Sequence, residues 1–139
     1  FELRNLSIRR GTLNEEEWAE MRAHPAYSRD FLEKIPWSKR LENIPFIAGA
    51  HHEKLDGTGY PERLTAEELP AQVRIMTIAD IFDALTANDR PYRKAASVER
   101  AVSILKEEAG LNKLDVHLVD LFIEEVIPSM LHVIPSLQR

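Results

Sequence analysis

Within the eleven residues His51-His52-Glu53-Lys54-Leu55-Asp56-Gly57-Thr58-Gly59-Tyr60-Pro61 stand two adjacent imidazoles, two carboxylates and two glycines. Consecutive residues on a helix point about 100° apart. His51 and His52 on a helix are therefore not expected to chelate one ion as an i, i+4 pair does. Two neighbouring ions, or one ion and a substrate phosphate, suit that splay. For the dipeptide taken alone, the favoured reading is one buried, hydrogen-bonded histidine beside one at the surface. Glu53 and Asp56 follow closely enough to orient the imidazoles as acceptors, or to be solvated charges. Gly57 and Gly59 let a backbone take left-handed angles or approach a neighbour closely, and Tyr60-Pro61 stiffens the exit of the loop.

A second group of candidates lies in AQVRIMTIADIFDALTA, residues 71–87. Asp80 and Asp83 are three apart, hence on one face of the most apolar helix of the chain, where an unpaired charge is costly. Something positive should face them. That is either a cation at a site, or Arg74 or Arg90 in an ordinary ion pair. Just beyond, Arg90, Arg93 and Lys94 form a local basic cluster. It is suited to phosphate oxygens or, more simply, is a solvated helix end. His117 and His132 have no comparable company and read as structural or exposed.

Composition narrows the chemistry. The chain has 139 residues, 44% of them hydrophobic, which fits one domain with a real core. It has no cysteine, so any metal must be held by histidine and oxygen. A net charge of -5 gives no general attraction for DNA. No apolar run approaches the roughly 20 residues of a membrane-spanning helix. The expectation is a soluble, cytoplasmic protein. Because the first residue is Phe1, a segment of something longer is expected.

The elements that must position these residues read as helices throughout. Asn14 with Glu17 forms a capping box, starting a helix that runs to about His24. Pro25 predicts a break there, with a second piece over 26–34. Ser38 is expected to cap a third helix leading to the histidine pair, with Pro45 an irregularity. Residues 56–61 form a loop, and Thr65 to Glu68 a capped turn. Residues 71–87 predict a central, largely buried helix. Ser97 caps the next, which Gly110 stops, and 114–127 forms the last. Residues 128–139 read as an irregular tail. No strand alternation and no internal repeat is present.

HHEKLDGTGYP together with IADIFDALTANDRPYRKA, residues 78–95, resembles the HD-GYP family of metal-dependent phosphohydrolases, which hydrolyse cyclic di-GMP in bacteria. The likeness extends from about Leu13 to Phe122 and includes EEEWAEMRAHP. It implies an all-α, compact multi-helix bundle of the HD superfamily. Residues 1–127 would be the larger C-terminal part of such a domain. The resemblance further implies His24, His51, His52 and Asp80 as ligands of two or three divalent ions, iron or manganese. Asp83, Arg90, Arg93 and Lys94 fall near the substrate phosphates. Asp56, Gly57, Gly59, Tyr60 and Pro61 form the family's loop, a docking place for GGDEF-type cyclases, and Glu53 supports the histidines. Both Ala87 and Asn88 stand where many members have one residue, shifting the basic cluster by one. The name-giving His-Asp dyad, which would complete the catalytic set, is absent here and is expected upstream of Phe1. The implied activity is cyclic dinucleotide hydrolysis. A degenerate docking module, or a phosphohydrolase of another nucleotide, are the competing readings.

Overall fold

The computed structural model describes residues 14–87 and 95–133. Among the described residues the regular structure is helical, apart from a single antiparallel bridge between Asp56 and Thr65. The elements are α1 (Glu15–Leu32), α2 (Ile44–Ala50), α3 (Ala71–Thr86), α4 (Val98–Gly110), α5 (Val116–Leu121) and, after a π turn over Phe122–Val126, α6 (Ile127–Val133).

Helix α1 begins at the expected capping box. Asn14 Oδ1 accepts from the Glu17 amide at 2.8 Å, and the Asn14 amide donates to Glu17 Oε2 at 2.9 Å. The break expected at Pro25 does not occur, and one helix of 18 residues passes through it. Proline cannot donate to the carbonyl four residues back. Here that carbonyl, Met21 O, accepts instead from His24 Nδ1 at 2.6 Å. His24 is thus no hinge but part of the repair that keeps the helix whole.

Helix α2 starts later than expected, at Ile44. Its first turn carries Pro45, where a missing N–H costs nothing, so Pro45 is no irregularity. Packed on α1, α2 brings Gly49 against the aliphatic part of Arg29, so close that an added Cβ would lie 3.0 Å from Arg29 Cβ. That approach sets the end of α2 beside His24.

Helix α3 links two apolar clusters. Its first turn gives Val73 to a small cluster with Ala50 and Leu69, flanked by Phe46, Ile47, Leu55 and Leu64. Its later turns give Ile78, Phe82 and Leu85 to the main core with Ala101, Leu105, Leu114, Val119 and Ile127. Each fully buried large side chain of this set contributes about 1.5–3 kcal/mol. The helix is not enclosed all round, since Ile75 is 51% exposed and Met76 40%. Asp83 is exposed too, and the Asp80 side chain is 42% exposed. Both carboxylates therefore lie at or beyond the border of the buried stripe and reach solvent, contrary to the expectation of charges sunk in the apolar helix.

At the end of α4 the left-handed residue is Asn112, φ 58°, and not Gly110, which remains helical. Asparagine tolerates that conformation through its short polar side chain. Ser97 caps α4 as expected, and Asp115 caps α5. The helix then continues through Pro128 to Val133, so residues 128–133 are not irregular. The π turn, in which the Ile127 amide donates to Phe122 O five residues back, widens the backbone where the proline ring would clash.

Candidate metal centre

Three imidazoles converge where α1 meets the end of α2. His24 Nε2 lies 3.3 Å from His51 Nε2 and 3.2 Å from His52 Nε2. One ligand atom from each residue lies within 4.8 Å of the other two. The 100° splay expected of His51 and His52 does not keep them apart. His51 closes α2 as its C-cap, and His52 lies in the turn beyond, where the Glu53 amide donates to Ala50 O at 2.9 Å. The two rings end with centroids 4.1 Å apart and share one partner, His24.

The protons of this cluster follow from its neighbours. A carbonyl oxygen only accepts, so Nδ1 is the donor where His24 meets Met21 O and where His51 meets Ala48 O, each at 2.6 Å. In neutral rings both Nε2 atoms then carry lone pairs, and they face one another. Burial, reinforced by the charges of His51, His24 and Lys54, pushes the His52 imidazole down to about 3, so that ring is neutral at ordinary pH. Its Nδ1 lies 3.9 Å from Asp80 Oδ2, too long for a hydrogen bond but favouring a proton on that side. With that proton in place, His52 adds a third lone pair to the cluster. Three facing acceptors with no donor between them repel, and a cation between them satisfies all three. The spacing fits: nitrogens bound tetrahedrally at about 2.0–2.1 Å stand roughly 3.3–3.4 Å apart. The cluster could hold a metal ion.

The loop after the histidines is fixed tightly. Gly57, at φ 76°, takes the left-handed turn, and Asp56 Oδ1 accepts from the Thr58 amide at 3.0 Å and its hydroxyl at 2.6 Å. Those bonds hold the Asp56 carboxyl below the usual range, the Thr58 hydroxyl contributing most. Gly59 rests on the chain itself: a Cβ there would meet Lys54 N at 2.4 Å and Glu53 Cα at 2.5 Å. Tyr60 follows with its amide donating to His52 O at 3.3 Å and its ring stacked on His52, centroids 5.0 Å apart at 26°. Burial raises the Tyr60 phenol, with Arg22 opposing and Asp80 adding to the effect. Pro61 is exposed at the loop's outer edge.

Neither carboxylate of this stretch orients an imidazole. Asp56 is occupied by its own turn. Glu53, 2% exposed, accepts from the Glu62 amide at 2.7 Å and the Leu64 amide at 3.0 Å. Both acids fail as partners of the rings for the same reason: the returning loop offers unpaired backbone donors closer at hand. Neither Asp80, expected as a ligand, nor Asp83 belongs to the group of converging ligand atoms. Arg90, Arg93 and Lys94 lie outside the described residues, while His117 and His132 are exposed.

Two contributors escape a reading of the sequence. Thr77, buried on α3, shares its one hydroxyl hydrogen between His51 O and Val73 O, both at 2.9 Å, and so ties the central helix to the histidine turn. A hydroxyl in the middle of an apolar helix, one turn before Asp80, was the available signal. Arg74 faces neither Asp80 nor Asp83. It pairs with Asp115 at 2.8 Å and donates to Leu69 O at 2.8 Å and to Ala66 O, locking α3 to the start of α5 and to the loop. Nothing in the sequence pairs residues 41 positions apart.

A family model described as an HD domain matches residues 1–118. The chain is 48% identical over 97 residues to the 3'3'-cGAMP-specific phosphodiesterase 3 of Vibrio cholerae, covering 70% of this chain and 20% of that protein. It is 35% identical over 103 residues to the cyclic di-GMP phosphodiesterase response regulator RpfG of Xanthomonas campestris, covering 74% and 27%. A cyclic di-GMP phosphodiesterase of Thermotoga maritima is 33% identical over 103 residues, again covering 74% and 27%. The chain thus spans about a quarter or less of the length of these relatives. No helix among the described residues is long and apolar enough to cross a membrane.

Proposed function

This chain belongs to the HD domain family, and on that premise we propose that it carries most of the metal site of a cytoplasmic phosphodiesterase that hydrolyses a cyclic dinucleotide. The observation that carries the reading is the convergence of three imidazole nitrogens, one from each of His24, His51 and His52, within 4.8 Å of one another. Relatives named for cyclic di-GMP and for 3'3'-cGAMP support the substrate class.

In this reading His24, His51 and His52, with Asp80 beside them, hold two or three divalent ions. A donor set of nitrogen and oxygen without sulfur suits iron or manganese. Ions so held supply the Lewis acidity that phosphodiester hydrolysis draws on. The chain's own contribution is positioning. The Met21 and Ala48 carbonyls keep the Nδ1 protons of His24 and His51 turned away from the site. The neutral His52 keeps a lone pair available, and Tyr60 covers one face of its ring. The family resemblance assigns Asp83, Arg90, Arg93 and Lys94 to the substrate phosphates, and guanidinium forks match phosphate oxygens. The outer edge of the loop, Asp56 to Pro61, is the contact for a GGDEF-type cyclase.

The test uses the full-length protein. Elemental analysis should find iron or manganese in stoichiometric amount, and cyclic di-GMP or 3'3'-cGAMP should be converted to the linear dinucleotide. A protein that binds no metal and leaves both dinucleotides intact would overturn the reading.

A further inference from the structure

Among the described residues Glu53 is the one carboxylate of the fully buried side chains, and the proposed mechanism gives it no task. Its two oxygens are both used, and both on the backbone of one segment, at Glu62 and Leu64. Those amides lie immediately beyond the turn that carries Tyr60. Two further contacts fasten the same loop on its other side: Gly59 pressed on the Glu53–Lys54 backbone, and the Tyr60 amide on His52 O. Tyr60, held between them, stacks on His52.

We propose that Glu53 is a positioning residue that clamps the returning loop and, through Tyr60, fixes the ring of His52 for metal binding. The inference rests on the metal reading above but concerns a link no histidine supplies. His24 and His51 are oriented by carbonyls of their own helices, each three residues back in the chain. No carbonyl among the described residues does the same for His52. Among the described residues its ring is bordered by the other two imidazoles, by Asp80 at 3.9 Å and by Tyr60. The flat face of Tyr60 is thus the contact that limits rotation of the His52 ring, and Glu53 is what keeps that face in place.

The test compares Glu53→Ala, Tyr60→Ala, the double variant and Glu53→Gln in the full-length protein, with two readouts. In metal-free protein, carbethoxylation by diethyl pyrocarbonate is mapped at His52 against the exposed His117 as internal standard. Mn2+ affinity is then measured by titration. The expected result is faster modification of His52 but not His117 in both alanine variants. Mn2+ binding should weaken about 10-fold in each, the scale on which groups supporting metal ligands act. The double variant should be no worse than either single one, because both break one chain of contacts. Glu53→Gln, which keeps one acceptor for Glu62, should fall between wild type and Glu53→Ala. Unchanged His52 reactivity, additive losses, or a Glu53→Ala protein that is merely less stable with wild-type Mn2+ affinity would overturn the proposal. If Glu53→Ala does not fold, Glu53→Gln with wild-type reactivity and affinity does the same. Should the wild type itself bind no Mn2+, the metal reading fails, and the reactivity of His52 alone judges the clamp.

Discussion

Replacing Gly59 by alanine isolates the close approach on which the loop depends. The added Cβ would stand 2.4 Å from Lys54 N, 2.5 Å from Glu53 Cα and 2.6 Å from Glu53 C, where ordinary contact begins at 3.4 Å. All three atoms are backbone, so relief requires the loop to lift by about 1 Å. The Tyr60 amide bond to His52 O, already 3.3 Å long, cannot survive that displacement. Overpacking of this kind costs about 1–3 kcal/mol. The lost hydrogen bond adds about 0.5–1.5 kcal/mol, and the disturbed ring stack a similar amount. The expected loss is therefore about 2–6 kcal/mol. Gly57→Ala is the control. It forces a side chain into φ 76° but meets nothing nearer than 3.5 Å, so only the left-handed strain of about 1–2 kcal/mol applies. Urea unfolding of both variants in the full-length protein, with Mn2+ titration of each, reads the difference. Gly59→Ala should be the less stable and should bind Mn2+ more weakly, whereas Gly57→Ala should retain most of its affinity. A Gly59→Ala protein no less stable than Gly57→Ala would refute the packing argument.

Thr77→Val keeps the shape but leaves His51 O without its hydroxyl donor, and should cost about 1–3 kcal/mol in urea unfolding. Pro25→Ala restores an amide that competes with His24 for Met21 O. The variant should unfold at a higher temperature, since proline in a helix interior costs up to about 3 kcal/mol, while binding Mn2+ more weakly. The Asp115 carboxyl lies below its usual range, burial pushing it up but the Arg74 hydrogen bond, the Leu118 amide and the Arg74 charge outweighing that. A depressed carboxyl contributes stability that is complete above the unfolded value of about 3.9 and is lost as pH falls through the lower folded value. Wild type should therefore lose stability below about pH 4, and Arg74→Met should be weaker at neutral pH with a shallower acid loss, as followed by urea midpoints across pH. A chelator should lower the melting temperature of the metal-loaded protein, since an ion at 100 times its dissociation constant stabilises by about 2.7 kcal/mol.

What the sequence determined by itself was largely local. The capping box at Asn14, the Ser97 cap and the periodicity of α4 depend on residues three or four apart, and they stand in the structure as read, whereas α3 is helical as read but not enclosed. The types of residue available for metal were likewise legible, because a chain without cysteine leaves histidine and oxygen. Where a local rule met a tertiary option, the rule failed. Pro25 breaks a helix only if nothing else takes the freed carbonyl, and the neighbouring His24 takes it. Adjacent histidines diverge only while the helix continues, and α2 ends at His51. Glu53 faces the histidines on paper, but the loop folds its unpaired amides back onto that carboxylate first. Tertiary structure alone decided that α1 and α2 pack closely enough to set His24 against His51, that Tyr60 stacks on His52, and that Arg74 reaches Asp115. Such contacts join residues dozens of positions apart, and their free energy exists only once the intervening chain is ordered, so no short window of sequence carries their signature.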